Sequence, residues 1–168
     1  MSAKRIVILG IGCTLYRDQG FGVHVVQALA RRFDMPQNVE LIDGGLIGVG
    51  LTGMVAGADH LIAVDAIPFN GRPGDICRLE GGRILERLAA KNQIQQVEFL
   101  EALAHCQALD HPPQAVLLGV EPEDTRSLAC ELTPVLEQRL DTMIACVLAE
   151  LDRLGACYML KGTGEACA

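Results

Sequence analysis

Hydrophobic and polar positions fall into alternating segments with two different periods. Ile6 to Leu9 is an unbroken aliphatic run, the mark of a strand covered on both faces. Gly10 and Gly12 break it, and a polar loop carries Asp18 and Gln19. From Gly22 the spacing changes: Val23, Val26, Ala30 and Phe33 recur at three- and four-residue steps, which predicts a helix with one buried face. Val39 to Ile42 reads as a second strand ending in Asp43-Gly44-Gly45, and Leu46 to Ala56 mixes glycine with aliphatics as a short or distorted helix. His60 to Ile67 is the third strand, with Asp65 where the apolar run gives out. The turn-rich connection Phe69 to Gly74 is too short for a helical crossover, so a strand over Ile76 to Leu79 is expected to lie antiparallel to its neighbour.

Leu85 to Ala90 is helical, and a further helix carries Val97, Leu100 and Ala104. Ala115 to Val120 is the fifth strand, followed by Glu121, which reads as a solvated loop residue. Thr133-Pro134 is a helix start, with a capping residue before proline, and one helix is expected to run to Gly155. Strands alternating with helices predict an α/β protein, a three-layer α/β/α sandwich on a twisted, mostly parallel five-stranded sheet. Residues 1–155 form one domain in this reading, and Ala156 to Ala168 a flexible tail.

Half of the 168 residues are hydrophobic, yet only 4% are aromatic and none is Trp, so the core rests on Leu, Val, Ile and Ala. The net charge of −7 argues against nucleic acid or an anionic membrane as partner. No apolar run approaches the ~20 residues that span a bilayer. Lys4-Arg5 leads only into a short strand, so a cytoplasmic location is the expectation. Seven cysteines, odd in number, scattered and without a CxxC, suggest neither a disulfide framework nor a zinc finger. Cys106, Cys130 and Cys146 lie in apolar surroundings and read as core residues, whereas Cys157 and Cys167 read as exposed.

In open α/β sheets the ground beyond the strand ends holds the ligand. Three such places carry acids: Asp18 beside Gln19, Asp43, and Asp65. A buried strand is an expensive place for a carboxylate without a purpose, which singles out Asp65. Gly10-x-Gly12 resembles the start of a dinucleotide-binding turn, but Leu15 occupies the third glycine position and the helix starts well beyond. Cys13 could serve as a nucleophile if a histidine activated it, yet none of His24, His60, His105 and His111 is placed to do so.

Leu9-Gly-Ile-Gly-Cys-Thr-Leu-Tyr-Arg-Asp-Gln-Gly-Phe-Gly22 resembles the GxGNxxxxD(E/D)GxG signature of the [NiFe]-hydrogenase maturation endopeptidases. The likeness continues through Glu40 to Gly45, Ala58 to Ala66, Gln95 to Leu103, Leu118 to Glu123 and Leu132 to Pro134, covering roughly residues 4–155. The resemblance implies a sheet between helices and an enzyme that removes a C-terminal extension from the nickel-loaded large subunit of a [NiFe]-hydrogenase. It also implies a metal site, Ni or Zn, with ligands at the positions of Gln19, Asp65 and Gln95. Only Asp65 matches the family's ligand types; Gln19 replaces an acid, Gln95 a histidine, and Cys13 an asparagine. Amides are neutral, so metal binding here is expected to be weak or absent. Asp18, Cys13, Asp43, Gly44 and Gly45 are the candidate substrate-binding residues, with Asp18 or Cys13 able to replace a lost ligand. The alternative is a catalytically impaired relative that binds the large subunit as an assembly factor without cutting it.

Overall fold

The structure is a computed structural model and describes residues 4–45, 51–89 and 112–162. Strand β1 (Ile6–Ile11) is buried along its whole length and pairs in parallel with β3 (Val39–Gly45) on one side and β4 (His60–Ala66) on the other. β4 pairs in parallel with β6 (Gln114–Val120), and β5 (Ile76–Glu80) closes the edge antiparallel to β6. The order is therefore β3-β1-β4-β6-β5, a five-stranded sheet with one reversed edge strand. The sequence predicted both the five strands and the reversal, because the short link from Ala66 to Ile76 cannot hold a helical crossover.

Alternation along the strands sends side chains to two cores. Ile6, Ile8, Ile62, Val64 and Leu118 pack under α1 (Phe21–Arg32) and α5 (Leu140–Arg153). Val7, Leu9, Leu61, Ala63 and Leu117 face the other way, toward Val55 of α2 (Leu51–Val55) and Ile84 of α3 (Gly82–Ala89).

Three expectations are corrected. The single helix after Thr133 is two, α4 (Pro134–Glu137) and α5, joined where the Arg139 amide bonds back three residues to the Leu136 carbonyl. The stretch from Ala156 to Gly162 is not a loose tail. Its β7 (Met159–Leu160) pairs antiparallel with β2 (Phe33–Asp34), and Tyr158 is buried with its ring edge-on to Phe33 at 5.7 Å. That aromatic contact supplies the burial which the weak periodicity concealed. Cys130, expected in the core, is exposed, whereas Cys146 is half-buried and Cys157 exposed as read. The helix expected over 97–104, together with Gln95, His105, Cys106, His111 and Cys167, lies outside the described residues.

Candidate active site at the carboxyl end of the sheet

β1, β4 and β6 run in parallel and release their chains at the same edge, so the loops after Ile11, Ala66 and Val120 meet there. The first loop folds back over its own strand. Gly12 has φ +130°, and a Cβ there would fall 1.6 Å from the Gln19 carbonyl oxygen, so only glycine fits. After a short 3-10 turn, Arg17–Gly20, α1 begins against the sheet itself. A Cβ on Gly22 would stand 2.1 Å from the Val64 carbonyl oxygen and 2.5 Å from that of Ile11. The glycines that imitate a phosphate-binding turn are thus used to bring α1 onto the backbone of β1 and β4, next to Asp65.

Asp65 is in register with Gly119, on the face of β4 shared with Leu61 and Ala63, and only 5% exposed. Burial raises its pKa from 3.8 to about 7, opposed only in part by a hydrogen bond from the Ala66 amide. At neutral pH such a carboxyl exchanges its proton readily, the property of an acid or base in catalysis.

Asp18 is completely buried, and both its oxygens are taken up by hydrogen bonds. Its Oδ2 accepts from the amides of Glu123 (2.9 Å) and Asp124 (2.8 Å) and from the Thr133 hydroxyl (3.0 Å), and its Oδ1 from the Thr133 amide (2.8 Å). This is why Thr133, in the position of a helix cap, makes no capping bond to α4: its hydroxyl is turned to Asp18. Gln19 makes a parallel tie, donating from Nε2 to the Thr125 carbonyl at 2.9 Å. Both side chains fasten the first loop to the loop after β6. Glu121, expected to be solvated, is instead buried, and its Oε2 accepts from the amides of Phe69 (2.6 Å) and Gly71 (3.0 Å), tying down the loop after β4.

The other candidates separate. Cys13 is buried directly behind Gly12. Asp43 is exposed, on the opposite face of the sheet from Asp65, where it accepts from Gln27 of α1 at 3.2 Å. Gly44 is buried against the Gly10 carbonyl, and Gly45 takes a left-handed turn at φ +40°. His24 contacts the Cys130 carbonyl through Nε2 at 3.1 Å rather than Cys13. The structure therefore brings Gln19, Asp18 and Asp65 to one edge and leaves Asp43 on the other face. Glu121 and Thr133 carry as much of the site's architecture as any residue singled out from sequence. The one advance signal was their place just after a strand and just before a helix.

Among the described residues no group of three His, Cys, Asp or Glu side chains stands together to hold a metal. What the described residues offer is one buried carboxylate and one amide already bonded through its nitrogen. Gln95, the third position of the expected ligand set, lies outside the described residues.

A family model described as HycI, hydrogenase maturation protease, matches residues 23–150. The chain belongs to the hydrogenase maturation protease family. Among its relatives, the hydrogenase expression/formation protein HupD of Thiocapsa roseopersicina is 36% identical over 156 residues, 92% of this chain and 71% of the relative. The hydrogenase 2 maturation protease of Escherichia coli K12 is 33% identical over 153 residues, 90% of this chain and 93% of the relative. The solved structure of the hydrogenase maturating endopeptidase HybD from E. coli superposes with a TM-score of 0.89 at 32% identity, covering 94% of this chain and 98% of that one. Maturation proteases of this family thus share with the chain its fold over nearly its whole described length.

Proposed function

We propose that this chain is a hydrogenase maturation endopeptidase that removes the C-terminal extension of a nickel-loaded [NiFe]-hydrogenase large subunit. The observation that carries the reading is the match to hydrogenase maturation proteases over residues 23–150, with Asp65 a buried carboxyl at the strand end where the family pattern places its aspartate. In this reading Asp65 takes or gives a proton at Oδ while the loops after β1, β4 and β6 position the peptide. Those loops are cross-tied by Asp18, Gln19 and Glu121.

The nickel in this scheme belongs to the substrate. With Gln19 and Gln95 at two ligand positions, the chain's own hold on Ni²⁺ or Zn²⁺ is weak, and recognition rests on the peptide and on Asp65. In this reading the cut takes place in the cytoplasm. The deciding test incubates the protein with an unprocessed large subunit carrying its nickel and follows the subunit's mass. Shortening by the C-terminal extension is expected. An intact subunit at high protein excess rejects the endopeptidase reading, and retention of that subunit without cutting supports the assembly-factor alternative.

A further inference from the structure

Two leucines are held in water beside the site by a scaffold that leaves them little freedom to retreat. Leu128 is 76% exposed and Leu15 is 56% exposed, the two most exposed large hydrophobics among the described residues. They come from segments more than a hundred residues apart, joined by a parallel bridge between Tyr16 and Ala129. The Ala129 amide donates to the Leu15 carbonyl at 3.1 Å and the Arg17 amide to the Ala129 carbonyl at 2.8 Å. The bond from the Ala129 amide to the Leu15 carbonyl brings the backbone of Leu15 alongside that of Leu128.

The turn that presents Leu128 is itself fixed. Asp124 Oδ1 accepts from the Arg126 and Ser127 amides, each at 3.0 Å. The Ser127 hydroxyl, then these amides, lower the Asp124 pKa to about 2, so the turn stays intact through the physiological range. Ahead of it, Asp18 grips the amides of Glu123 and Asp124, and Gln19 the carbonyl of Thr125. A loose loop would fold such leucines inward, whereas this one is built to keep them out. Exposed apolar side chains on a backbone held in place are what a partner uses as an anchor. Preorganisation also lowers the ordering cost of docking.

We propose that Leu15 and Leu128 form a docking surface for the hydrogenase large subunit, seating an apolar segment of it so that its C-terminal extension enters the cleft. The proposal rests on the endopeptidase reading for its occupant, and on continuity for its place: the loops that carry the two leucines are the same ones that Asp18 and Gln19 lock over the strand ends beside Asp65.

The experiment compares wild type with a Leu15→Asp, Leu128→Asp double variant on the nickel-loaded, unprocessed large subunit. Cleavage rates are measured over a range of subunit concentrations, and the Kd for the same subunit is measured under conditions that prevent cutting. Met159→Asp, an exposed apolar site on β7, serves as the control. The expected result is a KM and a Kd raised at least tenfold in the double variant, kcat within twofold of wild type, and no change in the control. Unaltered KM and Kd in a folded double variant, with wild type active, overturn the docking surface and leave the endopeptidase reading standing. A wild type that binds but does not cut overturns that reading instead, and the Kd comparison still decides the surface. Wild type that neither binds nor cuts overturns both. Sedimentation showing a wild-type dimer that the double variant abolishes reassigns the leucines to self-association and overturns the proposal. Should the double variant unfold, Leu128→Asp alone, at the more exposed position, carries the same comparison.

Discussion

The two ends of the sheet bury their acids in opposite ways. Toward the amino ends of β4 and β6, Glu150 of α5 is nearly as buried as Asp65, yet arginines bracket it. Arg78 reaches it through Nε at 2.7 Å and Nη2 at 3.2 Å, and Arg153 through Nη1 at 2.6 Å. Hydrogen bonds to Glu150 first, and to Glu80 next, hold the Arg78 pKa above its usual value. At the carboxyl end, Asp18 and Glu121 are satisfied by amides and one hydroxyl, while Asp65 has the Ala66 amide against the full cost of desolvation. Burial of an acid therefore says little by itself. What neutralises it separates a structural tie from a group kept ready for chemistry.

The strongest test of this contrast is Asp65→Asn. A folded pKa near 7 against 3.8 unfolded means the native state retains a proton that the unfolded chain has released. Stability must then fall as pH rises from about 4 to about 7 and level off above, by about 4 kcal/mol at 1.36 kcal/mol per unit. The substituted amide does not titrate and carries no such slope. The variant should therefore gain on wild type across that window while losing cleavage about a hundredfold. Denaturant titrations with chelator present, at several pH values, check the first part; parallel curves for the two proteins would count against the shifted carboxyl.

Asp18→Asn comes next. Whichever way the amide is turned, its NH2 faces a backbone N–H that a carboxylate oxygen now accepts, and a destabilisation of about 3 kcal/mol is expected in urea unfolding. An unaltered midpoint would mean that the loop tie contributes nothing. Glu150→Gln weakens the bracketed pair and should cost about 2 kcal/mol, with cleavage at the wild-type rate. A cleavage defect in that variant, measured at a temperature where it is fully folded, would erase the distinction between the ends. Smallest is the metal response: restoring ligand types with Gln19→Glu and Gln95→His should raise Ni²⁺ or Zn²⁺ affinity about tenfold, or about 1.4 kcal/mol. Calorimetry without a gain would remove Gln19 from any ligand set.

The sheet was legible because parallel strands buried on both faces must be continuous aliphatic runs, as Ile6–Leu9 and Leu61–Val64 are. Asp65 was legible for the same reason, as a charge interrupting such a run. Asp18 was visible as a loop acid, but its partners lie 105 to 115 residues away, and no local pattern encodes that distance. Glu121 followed by proline looks like surface, and only the amides of Phe69 and Gly71 make it interior. The segment after Gly155 misled because a two-residue strand has no period to detect.

The tie between Asp18 and the segment from Glu123 to Thr133 has a further consequence for synthesis. As the chain leaves the ribosome, β1, β3 and β4 precede the partners that Asp18 needs, so the first loop waits, unfastened, until the segment after β6 arrives. Most of the sheet can assemble beforehand, but the cleft gains its shape only near the end of translation. A nascent chain stalled before Glu123 has strands and no working mouth.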